Sequence, residues 1–187
     1  MVAGLTSTIL LADSPTALDA WLAEHGYQGG PELVAYLAPY VRDGWYLTAF
    51  RVAPADTSAR PLTMRAIRMS FATDVPIFPY AEPQVPGRVP RPFRVSVVAR
   101  QRMSGRLGDT PWGASVGFAR RAPTQLTVLR GIVPTEARRG RLWITTFDER
   151  RSARGSVDLT FTPSDDTAPV RSTLDAPISA SRTSTGP

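Results

Sequence analysis

The chain has 187 residues, 42% of them apolar, with 22 basic and 16 acidic side chains, a net charge of +6 and no cysteine. That length suits one domain, or one domain and a tail, with enough apolar residue for a core. The composition excludes disulfides and thiolate metal sites, and no apolar run approaches the roughly eighteen residues a membrane-spanning helix needs.

Residues 1–12 carry no positive charge, and Gly4, Thr6, Ser7 and Thr8 break their apolar stretch. Thr6–Ala12 therefore reads as a strand rather than a signal peptide. Ser14-Pro15 opens a helix, with Ser14 as N-cap and Pro15 at the first helical position. Leu18, Trp21 and Leu22 give it one apolar face, and Gly26 ends it. A second helix runs from Pro31 to about Arg42, kinked or shortened at Pro39 and stopped by Gly44. Trp45–Val52 is the next strand. The short loop between the helices predicts a helix hairpin packed on a sheet. The two flanking strands pair antiparallel, or parallel in a βαβ arrangement, for which the crossover is long enough.

Pro54–Pro61 is a polar loop, and Met64–Phe71 alternates as a half-buried strand. Six prolines between Pro76 and Pro92 make that segment an extended connector and the natural subdomain boundary. Phe93–Arg100, Val116–Arg120, Arg141–Phe147 and Val157–Phe161 read as strands, and Pro123–Gly131 has a short helix-like pattern. From Pro163 the chain is polar, poor in large apolar side chains, and reads as a disordered tail. The expected fold is α+β: one domain over residues 1–162, a mostly antiparallel sheet with a helix hairpin on one face, then a tail over 163–187.

Catalytic chemistry has little material to work with. Lysine is absent, which removes any P-loop, and His25 is the single histidine. His25 falls at a helix C-terminus, where a polar or cationic ring suits the helix dipole. Gly113-Ala114-Ser115-Val116-Gly117 matches the G-x-S-x-G nucleophile elbow and makes Ser115 a candidate nucleophile. The elbow needs a strand before it and a helix after it, whereas Pro111-Trp112 precedes this one and a strand pattern follows. No metal set is evident, because Asp165-Asp166 lies in the tail and Asp148-Glu149 abuts Arg150-Arg151. No cofactor is implied.

The positive charge is local. Residues 1–85 hold five arginines and eight acids, 86–154 fifteen arginines and four acids, and 155–187 two arginines and four acids. An all-arginine complement fits the composition bias of a GC-rich genome better than a nucleic-acid surface, which also uses lysine for phosphate. The middle segment, 88–154, remains a candidate for an anionic partner through Arg120, Arg121, Arg150 and Arg151. The alternative is a solvated face whose arginine stems cover apolar neighbours. Trp112, in a loop between Pro111 and Gly113, is the candidate exposed recognition residue, while Trp21, Trp45 and Trp143 read as core.

Leu18-Asp19-Ala20-Trp21-Leu22, His25-Gly26-Tyr27, Ala38-Pro39-Tyr40-Val41, Gly44-Trp45-Tyr46 and Phe71-Ala72-Thr73-Asp74 leading to Pro76-Ile77-Phe78-Pro79 occur together and in order. On these stretches the chain resembles a bacterial family known as the domain of unknown function number twenty-three thirty. The match runs over roughly residues 8–100, and the later PWGASVGFA and RLWITTFDERRSARGS stretches are similar to actinobacterial members. The resemblance implies an exported or surface protein without established activity, usually with a signal peptide and a cysteine-containing N-terminal region. This chain carries neither. It reads as a fragment whose first strand has lost a neighbour, leaving an open edge, and whose missing region, or another envelope protein, is a candidate partner. The resemblance supplies no site residues. Three functions follow as expectations: a non-enzymatic binding or structural domain of an envelope protein, a serine hydrolase using Ser115, and an anion-binding module.

Overall fold

A computed structural model of the chain describes residues 5–52, 67–83, 92–122, 133, 140–150 and 154–171. They fall into two compact units, one built on the described residues within 5–74, 80–83 and 154–157 and the other on those within 75–79, 92–150 and 158–171. The architecture is α+β with antiparallel sheets.

In the first unit β1 (Leu5–Leu10) leads through α1 (Pro15–Glu24) and α2 (Pro31–Arg42) to β2 (Leu47–Val52). Ser14 caps α1 as its sequence predicts, its Oγ accepting from the Ala17 N–H at 3.1 Å. Gly26 follows the helix with φ +69°, a left-handed conformation that spares a Cβ clash only in glycine. α2 carries Glu32 in its first turn and Arg42 in its last, both favourable to the helix dipole. It continues through Pro39, which lies on the exposed side, where water can satisfy the carbonyl that proline leaves without its helical donor.

β1 and β2 pair antiparallel, with Ser7 opposite Phe50 and Leu10 opposite Leu47. This rules out the parallel βαβ alternative. The helices form an antiparallel hairpin over one face, burying Leu18, Leu22 and Val41 against Leu10, Ala12, Leu37 and Leu47. Each such side chain contributes roughly 1.5–3 kcal/mol when fully buried. Ile9, Leu11 and Tyr46, on the other face of the ribbon, are exposed. The strand expected from Trp45 begins two residues later, and Trp45 instead meets Tyr40 and Phe71 edge-on. Ile67–Phe71, the described part of the strand expected over Met64–Phe71, forms no strand, and Met69 and Phe71 are exposed. Tyr80 and Ala81 of the proline-rich connector are core residues of this unit. Tyr36 donates to the Ala81 carbonyl, and Arg154 lies over the Tyr80 ring while pairing with Glu82.

The second unit is a sandwich of two sheets. One has the order β4 (Phe93–Ala99), β8 (Leu142–Glu149), β7 (Ser115–Ala122). The other runs β3 (Ile77–Phe78), β9 (Leu159–Pro163), β5 (Met103–Leu107), β6 (Thr110–Pro111). β3 is a two-residue edge strand, the place a proline-rich segment can occupy in a sheet. β8 shows why the sheets stack: Trp143, Thr145, Phe147 and Glu149 are buried on one face, while Ile144, Thr146 and Asp148 are only partly covered on the other. Phe78, Phe93, Trp112, Phe147 and Phe161 meet ring to ring through the core with centroids 5.3–6.1 Å apart. Such pairs add about 0.5–1.5 kcal/mol each beyond burial. The Met103 N–H donates to Thr145 Oγ1 at 3.2 Å and ties the sheets together. The expected helix over Pro123–Gly131 lies outside the described residues. The expected tail begins as a structured segment: residues 164–171 are held against this unit, and 172–187 lie outside the described residues.

Candidate binding surface

Trp112 is not the exposed recognition residue its loop setting suggests. It is buried, and its indole N–H donates to Glu149 Oε1 at 2.9 Å. Gly105 on β5 makes the space, because a Cβ there would lie 2.7 Å from Trp112 Cε3. The Trp112 N–H also donates to the Gly105 carbonyl at 2.9 Å. Glu149 is 4% exposed, so this pairing offsets part of the cost of taking a carboxylate out of water. Glu149 escaped the sequence reading because a single acid beside Asp148 and two arginines reads as surface. The β-strand alternation along Trp143, Thr145 and Phe147 was the signal that it faces inward.

Ser115 is the first residue of β7, not the turn between a strand and a helix. Its Oγ donates to the Asp148 carbonyl at 3.1 Å. Gly117 of the same motif sits in a bulge of β7 beside the Asp148 carboxylate, which pairs with Arg94 at 2.5 Å. His25 caps α1 in the first unit, its Nδ1 2.8 Å from the Trp21 carbonyl and its ring stacked on Trp21 at 4.0 Å. The histidine thus has the structural employment expected of it. Among the described residues no group of three or more acids and histidines could hold a metal ion. No described helix is long and apolar enough to cross a membrane.

The arginines sort by strand register. Ala99 of β4 and Arg121 of β7 both stand opposite Trp143 of β8. Arg100 follows Ala99, and Arg141 directly precedes β8, so Arg100, Arg121 and Arg141 share one end of the sheet, all exposed. β4 and β7 are two strand spacings apart, roughly 10 Å. The Arg121 guanidinium lies 5.7 Å from the Trp143 ring centroid, and Arg100 Nη1 would be 3.2 Å from a Cβ on Gly140. Arg120 is one residue away, opposite Ile144. Arg150 follows Glu149 at the other end of β8 and so does not join this cluster, while Arg151 lies outside the described residues. Of the arginines the sequence singles out, Arg120 and Arg121 stand at this end of the sheet and Arg150 at the other. Arg100 and Arg141 come to the same end of the sheet only through the β4–β8 register.

The sequence pattern of a family described as an uncharacterised protein conserved in bacteria matches residues 1–162. The chain belongs to the DUF2330 family. The DUF2330 match extends over residues of both units and ends at Thr162, within β9. No curated protein and no solved structure matches the chain. The DUF2330 assignment names no site, so the surface of this chain rests on its own residues.

Proposed function

We propose that this chain is a non-enzymatic binding domain of an exported or envelope-associated bacterial protein, and that the arginine end of its three-stranded sheet docks on a phosphate-bearing envelope surface. The observation that carries the reading is the placement of exposed Arg100, Arg121 and Arg141 at one end of the three-stranded sheet. Guanidinium groups bind phosphate oxygens in pairs, as a planar fork. A single-stranded nucleic acid fits less well, since its bases need exposed rings to stack on, and Trp112 and Trp143 in this unit are buried. Export is the expectation that the family resemblance carries. The hydrolase alternative is weakened by Ser115 donating to a backbone carbonyl at the start of a strand.

The test is sedimentation of the full chain with phosphatidylglycerol vesicles and with phosphatidylcholine vesicles. The reading expects recovery in the pellet with the anionic vesicles alone, lost at high salt. Equal recovery with both vesicle types, or with neither, would overturn it.

A further inference from the structure

After β9 the chain crosses to the outer edge of β7. Val170 pairs there with Ala119 through two backbone hydrogen bonds of 2.8 Å, adding one rung beyond the three-stranded sheet. The crossing is pinned by Arg102, which is 7% exposed and lies just before β5. Its Nη1 donates to the Ala168 carbonyl and pairs with Asp166 Oδ2, both at 2.6 Å. The Ser164 N–H donates to the Arg102 carbonyl at 2.8 Å. Asp166 spends its other oxygen on the Ala168 N–H at 2.8 Å.

The fit is incomplete. Arg102 Nε is buried without a hydrogen-bond partner among the described residues, a costly state for a charged group. A carboxylate that gripped Nε and a terminal nitrogen together would satisfy it, the bidentate geometry a guanidinium favours. Asp166 reaches Nη1 alone, its second oxygen turned to the Ala168 N–H. The edge of β7 therefore carries an occupant that leaves a strong donor unused.

We propose that the β7 edge and the Arg102 guanidinium form a docking site for an acidic, extended peptide, and that residues 164–171 occupy it as an internal competitor. The bound peptide adds a strand to β7 by main-chain pairing, and its carboxylate takes the fork of Arg102. The occupant of the closed state defines the recognition pattern: a carboxylate four residues before a β-branched side chain, as in Asp166 and Val170.

The experiment uses the full chain carrying Asp166→Ala and Val170→Pro. These changes remove the ion pair and the N–H that Val170 donates to Ala119. The probe is a fluorescent nine-residue peptide with the sequence of residues 163–171. Anisotropy should show it binding the double variant at least ten-fold more tightly than the wild type, and a peptide with Asp166→Ala should lose that binding. Amide exchange at Ala119 should rise in the double variant while that of Phe147 stays unchanged, which shows that the segment opens without unfolding the sandwich. Equal affinity for both chains, indifference to the peptide's carboxylate, or unchanged exchange at Ala119 would overturn the proposal. Vesicle binding does not enter this test, so it stands or falls apart from the envelope reading.

Discussion

The indole N–H of Trp112 reaches the carboxylate of Glu149 across the interior of the sandwich, with both side chains buried. A donor without this acceptor, or the acceptor without this donor, loses a charge-assisted bond where water is scarce. Trp112→Phe keeps most of the ring packing and removes the N–H, and should destabilise by about 1–3 kcal/mol. Glu149→Gln keeps an acceptor for the indole and should cost less than Glu149→Leu, which strands it. Urea unfolding of the three variants gives the order directly. Equal midpoints for Trp112→Phe and wild type would show that the pair contributes nothing.

Gly105 and Trp112 form a matched pair of small and large. Gly105→Ala places a Cβ 2.7 Å from the indole and should cost about 1–3 kcal/mol by overpacking. Combined with Trp112→Leu, it should cost less than the sum of the two single changes, because the smaller side chain leaves room for the methyl. Additive losses in a double-mutant cycle would contradict the packing relationship.

Where local chemistry decides the structure, the sequence was readable. Ser14-Pro15 starts α1, Gly26 ends it, and the alternation through Trp143, Thr145 and Phe147 marks β8. β5 was missed because Met103-Ser104-Gly105-Arg106-Leu107 has a glycine at its centre and little β-branched character. Its strand state comes from pairing with β9, more than fifty residues away in sequence. Trp112 was misplaced for the same reason: the cavity that receives it is made by Gly105 and Glu149, which its immediate neighbours do not reveal. Met64–Phe71 shows the converse. Its alternation imitates a strand, yet Ile67–Phe71 has no strand partner among the described residues.

Asp166 gives the crossing segment a pH dependence. The Ala168 N–H, and then Arg102, hold its carboxyl below the usual carboxylate range. A carboxyl depressed on folding contributes in its ionised form: the contribution is present above the ordinary value and lost as pH falls through the lowered one. Protection of the Ala119 amide, corrected for intrinsic exchange, should be flat near neutrality and fall only below about pH 4. Asp166→Asn should remove that acid-side fall. A decline already under way at neutral pH would contradict the assignment.

Ser115 offers a direct check on the hydrolase alternative. Its hydroxyl donates to the Asp148 carbonyl on the neighbouring strand, an acceptor that does not serve as a general base. A fluorophosphonate probe should leave the wild-type chain unlabelled under conditions that label a serine esterase. Labelling that disappears in Ser115→Ala would restore the nucleophile.

The envelope reading rests on three arginines acting as one surface, and one titration tests it most directly. Wild-type protein and an Arg100→Gln, Arg121→Gln, Arg141→Gln variant are titrated with phosphatidylglycerol vesicles, with Arg150→Gln at the far end of β8 as control. Each basic residue near an anionic bilayer contributes about 1 kcal/mol, so the triple variant should bind roughly a hundred-fold more weakly while Arg150→Gln stays close to wild type. The wild-type affinity should also fall steeply between low and high salt. If the triple variant binds as well as the wild type, or Arg150→Gln loses as much, the arginine end of the sheet is not the docking surface.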